Sequence, residues 1–171
     1  FLFLHIFPIQ NIKAQLLINT SNTPQQLVQN VLIGGGVTVS NITFIGANGS
    51  PVFDIGSFTN GGTTNIGLAS GILLSSGDIF LSMGPNNQTG AGNNNNLGGD
   101  PDLSAACGEV TYDAAILEFD FVPESDTIKF NYVFGSEEYP EFVNSQYNDV
   151  FGFFVSGPNP AGGNYVSSNI A

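Results

Sequence analysis

Glu137, Glu138, Glu141, Asn148 and Asp149 put five oxygen-bearing side chains within thirteen residues. Carboxylate and amide oxygens at this density are the donor set of a hard cation. Calcium takes six to eight such ligands, completed by backbone carbonyls and water. These five residues are therefore the candidate metal ligands, with calcium as the candidate cofactor. Glu137 and Glu138 are adjacent and point to opposite faces if extended, so they are not expected to chelate together. Asp100 and Asp102, spaced D-P-D, are a second possible source of oxygens. The competing reading is ordinary loop chemistry, in which such acids accept hydrogen bonds from nearby N–H groups.

Other chemistries are excluded by what is missing. After residue 14 the chain has no His and no Arg, and its one Lys is Lys129. No Ser-His-Asp triad, His₃ zinc site or Arg phosphate clamp can be assembled from that alphabet. Cys107 is the only cysteine and has no His to activate it as a nucleophile. A two-carboxylate glycosidase is the one catalytic scheme still open, and Glu137 with Asp149 is the only pair considered. The absence of Trp and a supply of five Tyr leave little for sugar platforms, so no enzymatic activity is expected.

The formal net charge is −12, and 14 acids against Lys129 alone make it −13 without the first 14 residues. A field of that sign repels phosphate backbones and anionic lipid, which excludes nucleic acid as a partner. Residues 1–14, FLFLHIFPIQNIKA, read as the tail of a secretory signal peptide with small Ala14 before the mature start. The run is too short to span a bilayer, so no direct membrane insertion is expected. The alternative for this segment is a buried N-terminal strand. Export permits a disulfide, but Cys107 has no partner within this sequence.

The elements that would position these residues are mostly strands. Thr23-Pro24-Gln25-Gln26 carries a cap, a Pro at the first helical position and a Gln three residues after the cap. It opens a helix whose apolar stripe is Leu27, Val28, Val31 and Leu32, and Gly34–Gly36 ends it. Residues 37–45 alternate and are β-branched, and Asn48-Gly49 signals a turn. Short apolar runs at 52–58, 66–74 and 78–83 read as further strands. Residues 84–108 read as one long loop whose Asn93–Asn96 core is expected to be mobile. A hairpin is expected over 115–134, turning at Pro123–Asp126, with Leu117, Phe119 and Phe121 facing the core and Asp120 opposite Lys129. The fold class expected is mostly β: an antiparallel β-sandwich of jelly-roll type with one short N-terminal helix.

Two stretches are more specific than any of these patterns. Phe130-Asn131-Tyr132-Val133-Phe134-Gly135-Ser136-Glu137-Glu138-Tyr139-Pro140-Glu141 is followed by Asn148-Asp149-Val150-Phe151-Gly152-Phe153-Phe154-Val155-Ser156-Gly157. With Gly71–Gly77 (GILLSSG) and Gly98–Leu103 (GGDPDL), they resemble the choice-of-anchor L domain of secreted bacterial surface proteins. The resemblance runs from about Asn22 to Ala171, and 15–171 is taken as the domain. It implies an exported, surface-associated or secreted protein of Bacteroidota-like bacteria, joined to a downstream anchor or sorting segment. It implies no established enzymatic activity. Family domains continue past a point like Ala171, so the expectation is a domain truncated at its C-terminus, with an open sheet edge that favours aggregation. The function expected is a non-catalytic extracellular module for adhesion or carbohydrate binding, with surface glycans or other extracellular ligands as partners. A purely structural spacer in a large surface protein is the alternative.

Overall fold

The computed structural model describes residues 15–84, 88, 90–136, 142, 145 and 147–171. The signal-peptide segment 1–14 lies outside the described residues.

The chain enters as a short strand, β1 (Leu17–Asn19), and then the helix predicted from the capping pattern, α1 (Pro24–Leu27). Its capping box is reciprocal. Thr23 Oγ1 accepts from the Gln26 N–H at 3.3 Å, and Gln26 Oε1 accepts from the Thr23 N–H at 2.9 Å. The last turn widens into a π-helical segment, Val28–Leu32, closed by Ile33 N–H donating to the Val28 carbonyl at 3.0 Å. Leu27 and Val28 are fully buried.

β2 (Val37–Ile45) follows as expected. Then come the short β3 (Asn48–Gly49) and β4 (Val52–Phe53), β5 (Ile55–Thr59) and β6 (Gly71–Leu74). β7 (Ile116–Pro123), β8 (Phe154–Pro158) and β9 (Asn164–Asn169) complete the strands. Among the described residues they pair into four antiparallel sheets, β1-β5-β6, β2-β7, β3-β4 and β8-β9.

The core lies where α1 and its π-helical extension pack on the β1-β5-β6 sheet, with Ile79 closing it from the other side. Ile55, Phe58, Leu16 and Ile79 are buried there together with Leu27 and Val28. The Ile79 side chain seats directly on Gly56. A Cβ at that glycine would lie 2.6 Å from Ile79 Cδ1 and 3.0 Å from the Asn19 carbonyl oxygen.

Four expectations require correction. First, β7 does turn Leu117, Phe119 and Phe121 inward, but its partner is β2, with Phe121 opposite Val39 and Leu117 opposite Phe44. Glu124 N–H extends that pairing to the Gly36 carbonyl at 2.9 Å, and among the described residues 127–134 form no strand paired with β7. Asp120 accepts from the Asn41 amide at 2.6 Å instead of facing Lys129. Asn41 sits at an extra residue in β2, with φ of 49°. This bulge shifts the alternation by one, so that Val37 and Val39 before it and Ile42 and Phe44 after it share the inward face.

Second, the helix at the N-terminus is not the only one. α2 (Pro101–Cys107) lies inside the stretch read as loop, with Asp100 as its cap and Gly108 (φ 79°) in the left-handed position at its end. Third, the run 78–83 read as a strand is a 3₁₀ helix, Ile79–Met83, capped by Asp78 Oδ1 accepting from the Phe80 N–H at 3.2 Å. Fourth, the Asn-rich stretch is fastened rather than free. Asn93 Oδ1 accepts from the Asp78 N–H at 2.7 Å, and the Asn93 amide donates to Asn95 Oδ1 at 2.8 Å.

Candidate functional site

Of the five predicted metal ligands, Glu137, Glu138 and Glu141 lie outside the described residues. Asn148 and Asp149 are described, and both are exposed on an irregular segment leading into the apolar run that begins at Val150. The Asn148 amide donates to the Ser145 carbonyl at 3.4 Å, and Phe142 meets Tyr147 edge-on with centroids 5.6 Å apart.

The flanks of this loop lie side by side. Phe130 contacts Phe153 with ring centroids 4.8 Å apart, and Tyr132 contacts Phe151 at 5.2 Å. One partner advances by two residues as the other retreats by two, which is the step of two antiparallel extended segments presenting the same face. Phe134 also stacks on Phe151, with centroids 6.0 Å apart. The two halves of the F-x-Y-V-F and N-D-V-F-x-F pattern are thus aromatic partners, and residues 135–149 connect them.

Asp100 and Asp102 are committed to structural bonds. Asp100 Oδ1 accepts from the Leu103 N–H at 2.7 Å, and Asp102 Oδ2 accepts from the Ser167 hydroxyl at 2.8 Å. The first caps α2 and the second ties that helix to β9.

A different carboxylate, not singled out from the sequence, occupies the most enclosed position. Asp54 is 0% exposed, between β4 and β5. Its Oδ2 accepts from the Ala47 N–H at 2.7 Å, and its Oδ1 accepts from the Asn95 amide at 2.6 Å. The Asp54 main chain bonds Ala47 and Ser75 as well. Nearby Asp113, 8% exposed and in the left-handed region (φ 51°), accepts from the Leu97 N–H at 2.6 Å. Burial pushes the Asp54 carboxyl above the ordinary Asp value. The Ala47 N–H and the Asn95 amide oppose that, while the charges of Asp113 and Asp78 add to it. A perturbed buried carboxyl is a common mark of a functional site. Here both oxygens are engaged and solvent does not reach them, so Asp54 anchors the Asn-rich loop. The sequence signal was available: an acid inside the apolar run Val52-Phe53-Asp54-Ile55 needs a partner wherever that run is buried.

Cys107 is exposed at the end of α2, with Sγ 3.4 Å from the Glu109 carbonyl oxygen. Among the described residues no helix is long and apolar enough to cross a membrane, and no group of three or more metal-ligating side chains occurs.

The sequence model of the Choice-of-anchor L domain matches residues 15–171. The chain belongs to the choice-of-anchor L family. Membership makes it a module of an extracellular surface protein, in line with the expectation drawn from the two motif segments. Comparison with curated proteins and with solved structures gives no match.

Proposed function

We propose that this choice-of-anchor L domain is a non-catalytic binding module, holding an exported surface protein to extracellular glycans or to other ligands outside the cell. The observation that carries the reading is the family match over residues 15–171 on a segment with no His, no Arg and a single Lys. That alphabet suits recognition through hydroxyl, amide and carboxylate groups better than it suits acid–base chemistry. Secretion through the N-terminal apolar segment, and assembly of the four sheets into a jelly-roll type sandwich, belong to the same proposal.

Calcium is the proposed cofactor. The candidate ligands fall between two aromatic-paired segments, so an ion there would fix the connection 135–149 against a frame already held by Phe130, Tyr132, Phe151 and Phe153. The exposure of Asn148 and Asp149 supports this, because their oxygens need not be freed from a buried network first.

Glycan-array and cell-adhesion assays on the protein test the reading. Specific, saturable binding is expected, and uniformly negative results would move the assignment to a structural spacer. A glycoside hydrolase would instead show turnover on polysaccharides that disappears in Glu137→Gln.

A further inference from the structure

The described surface contains a recess with no charged group in its lining, on a protein of formal charge −12. It has a volume of about 370 Å³ and lies between the 61–66 loop and the end of the 3₁₀ helix Ile79–Met83. Gln15 ties the two walls together. Its carbonyl accepts from the Asn60 amide at 2.8 Å, and its own amide donates to the Gly84 carbonyl at 3.0 Å.

The lining has two chemistries. Leu16, Ile66 and Met83 supply apolar surface. Thr63, Thr64, Asn65 and Ser82 supply oxygens and one amide. The hydroxyl protons are already committed: Thr63 donates to the Asn60 carbonyl at 3.1 Å, Thr64 to the Gly61 carbonyl at 2.8 Å and Ser82 to the Ile79 carbonyl at 2.5 Å. Those three oxygens are therefore left with acceptor capacity only, and Thr64 Oγ1 already uses part of its own on the Ile66 N–H at 3.3 Å. Asn65 is exposed, and its amide has no partner among the described residues, so it offers two N–H donors and a carbonyl acceptor.

From this arrangement we infer that the recess is a binding site for a neutral saccharide unit. A pyranose presents hydroxyls that both donate and accept, and C–H faces that lie against aliphatic side chains. The volume is at the lower end of ordinary small-ligand sites, which fits one or two sugar rings rather than a larger cofactor. Anionic sugars are repelled by the field of the whole chain, and cationic ligands find no carboxylate in the lining. The inference rests on the binding-module reading and gives it a place and a ligand class.

The test is a titration of the full chain with cellotetraose, maltotetraose and laminaritetraose, followed by NMR at the Asn65 side-chain amide, with trigalacturonate as the acidic control. At least one neutral probe should shift the Asn65 amide resonances saturably, and trigalacturonate should not. Asn65→Ala removes a side chain that bonds nothing else described, so the fold should persist while binding weakens about fivefold to tenfold. Neutral probes that bind without moving Asn65, and equally well in Asn65→Ala, would overturn this site while leaving the binding-module reading intact. Failure of every neutral probe while adhesion assays are positive would overturn the ligand class. Failure of both would overturn the site and the reading together.

Discussion

Asp54 offers the sharpest test of how this domain is held together. Its carboxylate is fully enclosed and accepts two short hydrogen bonds, from the Ala47 N–H at 2.7 Å and the Asn95 amide at 2.6 Å. Asp54→Ala removes both and strands the Ala47 N–H. Hydrogen bonds to a charged group each contribute about 1.5–3 kcal/mol, and part of the loss is offset because an ionised carboxylate no longer has to be desolvated. The expected net cost is about 3 kcal/mol, or a midpoint lower by about 6–12 °C for a chain of this size. Asp54→Asn keeps the shape and one acceptor. Its new amide, however, meets the Asn95 amide, which cannot turn round without giving up the bond from Asn93. Its cost should be about 1–2 kcal/mol. The two substitutions also differ from the wild type in pH response. Burial raises the folded-state pKa of Asp54 above 3.8, so the folded chain holds this proton more tightly than the unfolded chain does. The contribution of this group to stability is complete below the unfolded pKa and declines as pH rises through the folded one. The deficit of Asp54→Asn relative to wild type should therefore shrink as pH rises from about 3 to about 7. Urea unfolding of both proteins across that range measures it. A deficit that grows with pH would refute the account of Asp54 as a desolvated carboxylate, and a neutral Asp54→Ala would refute its role as an anchor.

Three further predictions follow from local geometry and from the acidic loop. A Cβ at Gly99 would overlap the Thr111 carbonyl oxygen, which is backbone and cannot rotate away, so Gly99→Ala should cost about 3 kcal/mol in urea unfolding. An unchanged midpoint would mean that Gly99 does not pack tightly on Thr111. At the β2 bulge, Asn41 combines φ of 49° with a bond to Asp120, so Asn41→Ala should cost about 1–2 kcal/mol and Asn41→Gly less, since glycine tolerates that backbone. The reverse order in thermal unfolding would contradict the strained-bulge reading. Calcium at a hundredfold excess over its dissociation constant should stabilise the protein by about 2.7 kcal/mol relative to chelator. Glu137→Gln and Asp149→Asn should each abolish most of that shift, and a midpoint indifferent to calcium would make these acids ordinary loop residues.

How much of this was legible beforehand depends on the range of the interaction. Capping is local, and Thr23, Pro24 and Gln26 announced α1 correctly. Alternation is local too, so the inward faces of β2 and β7 were readable from Val37, Val39, Leu117, Phe119 and Phe121. Which strand pairs with which is not local. The 115–134 segment has good hairpin chemistry, but β7 pairs with the nine-residue β2, which is far away in sequence. α2 was hidden by composition, since Gly and Asn around it read as loop, although Asp100, Pro101 and Gly108 form a complete start and stop signal. The 79–83 run illustrates the ambiguity of short apolar segments, where the Asp78 cap was the deciding clue. In the candidate metal loop, residue types were legible but Glu137, Glu138 and Glu141 lie outside the described residues. The uncharged recess was not legible at all. It is built from Leu16, Thr63–Ile66 and Ser82–Met83, three stretches that nothing in the sequence links.

Under the proposed function, this surface-protein domain binds extracellular ligands without altering them. The most direct measurement is retention of beads coated with the protein on immobilised neutral polysaccharide under flow, with the chain length of the polysaccharide measured before and after. Specific retention, competed by soluble oligosaccharide, and polysaccharide of unchanged length are expected. Beads that wash through would point to a structural spacer, and a shortened polysaccharide would point to a hydrolase; either result contradicts a module that binds without turnover.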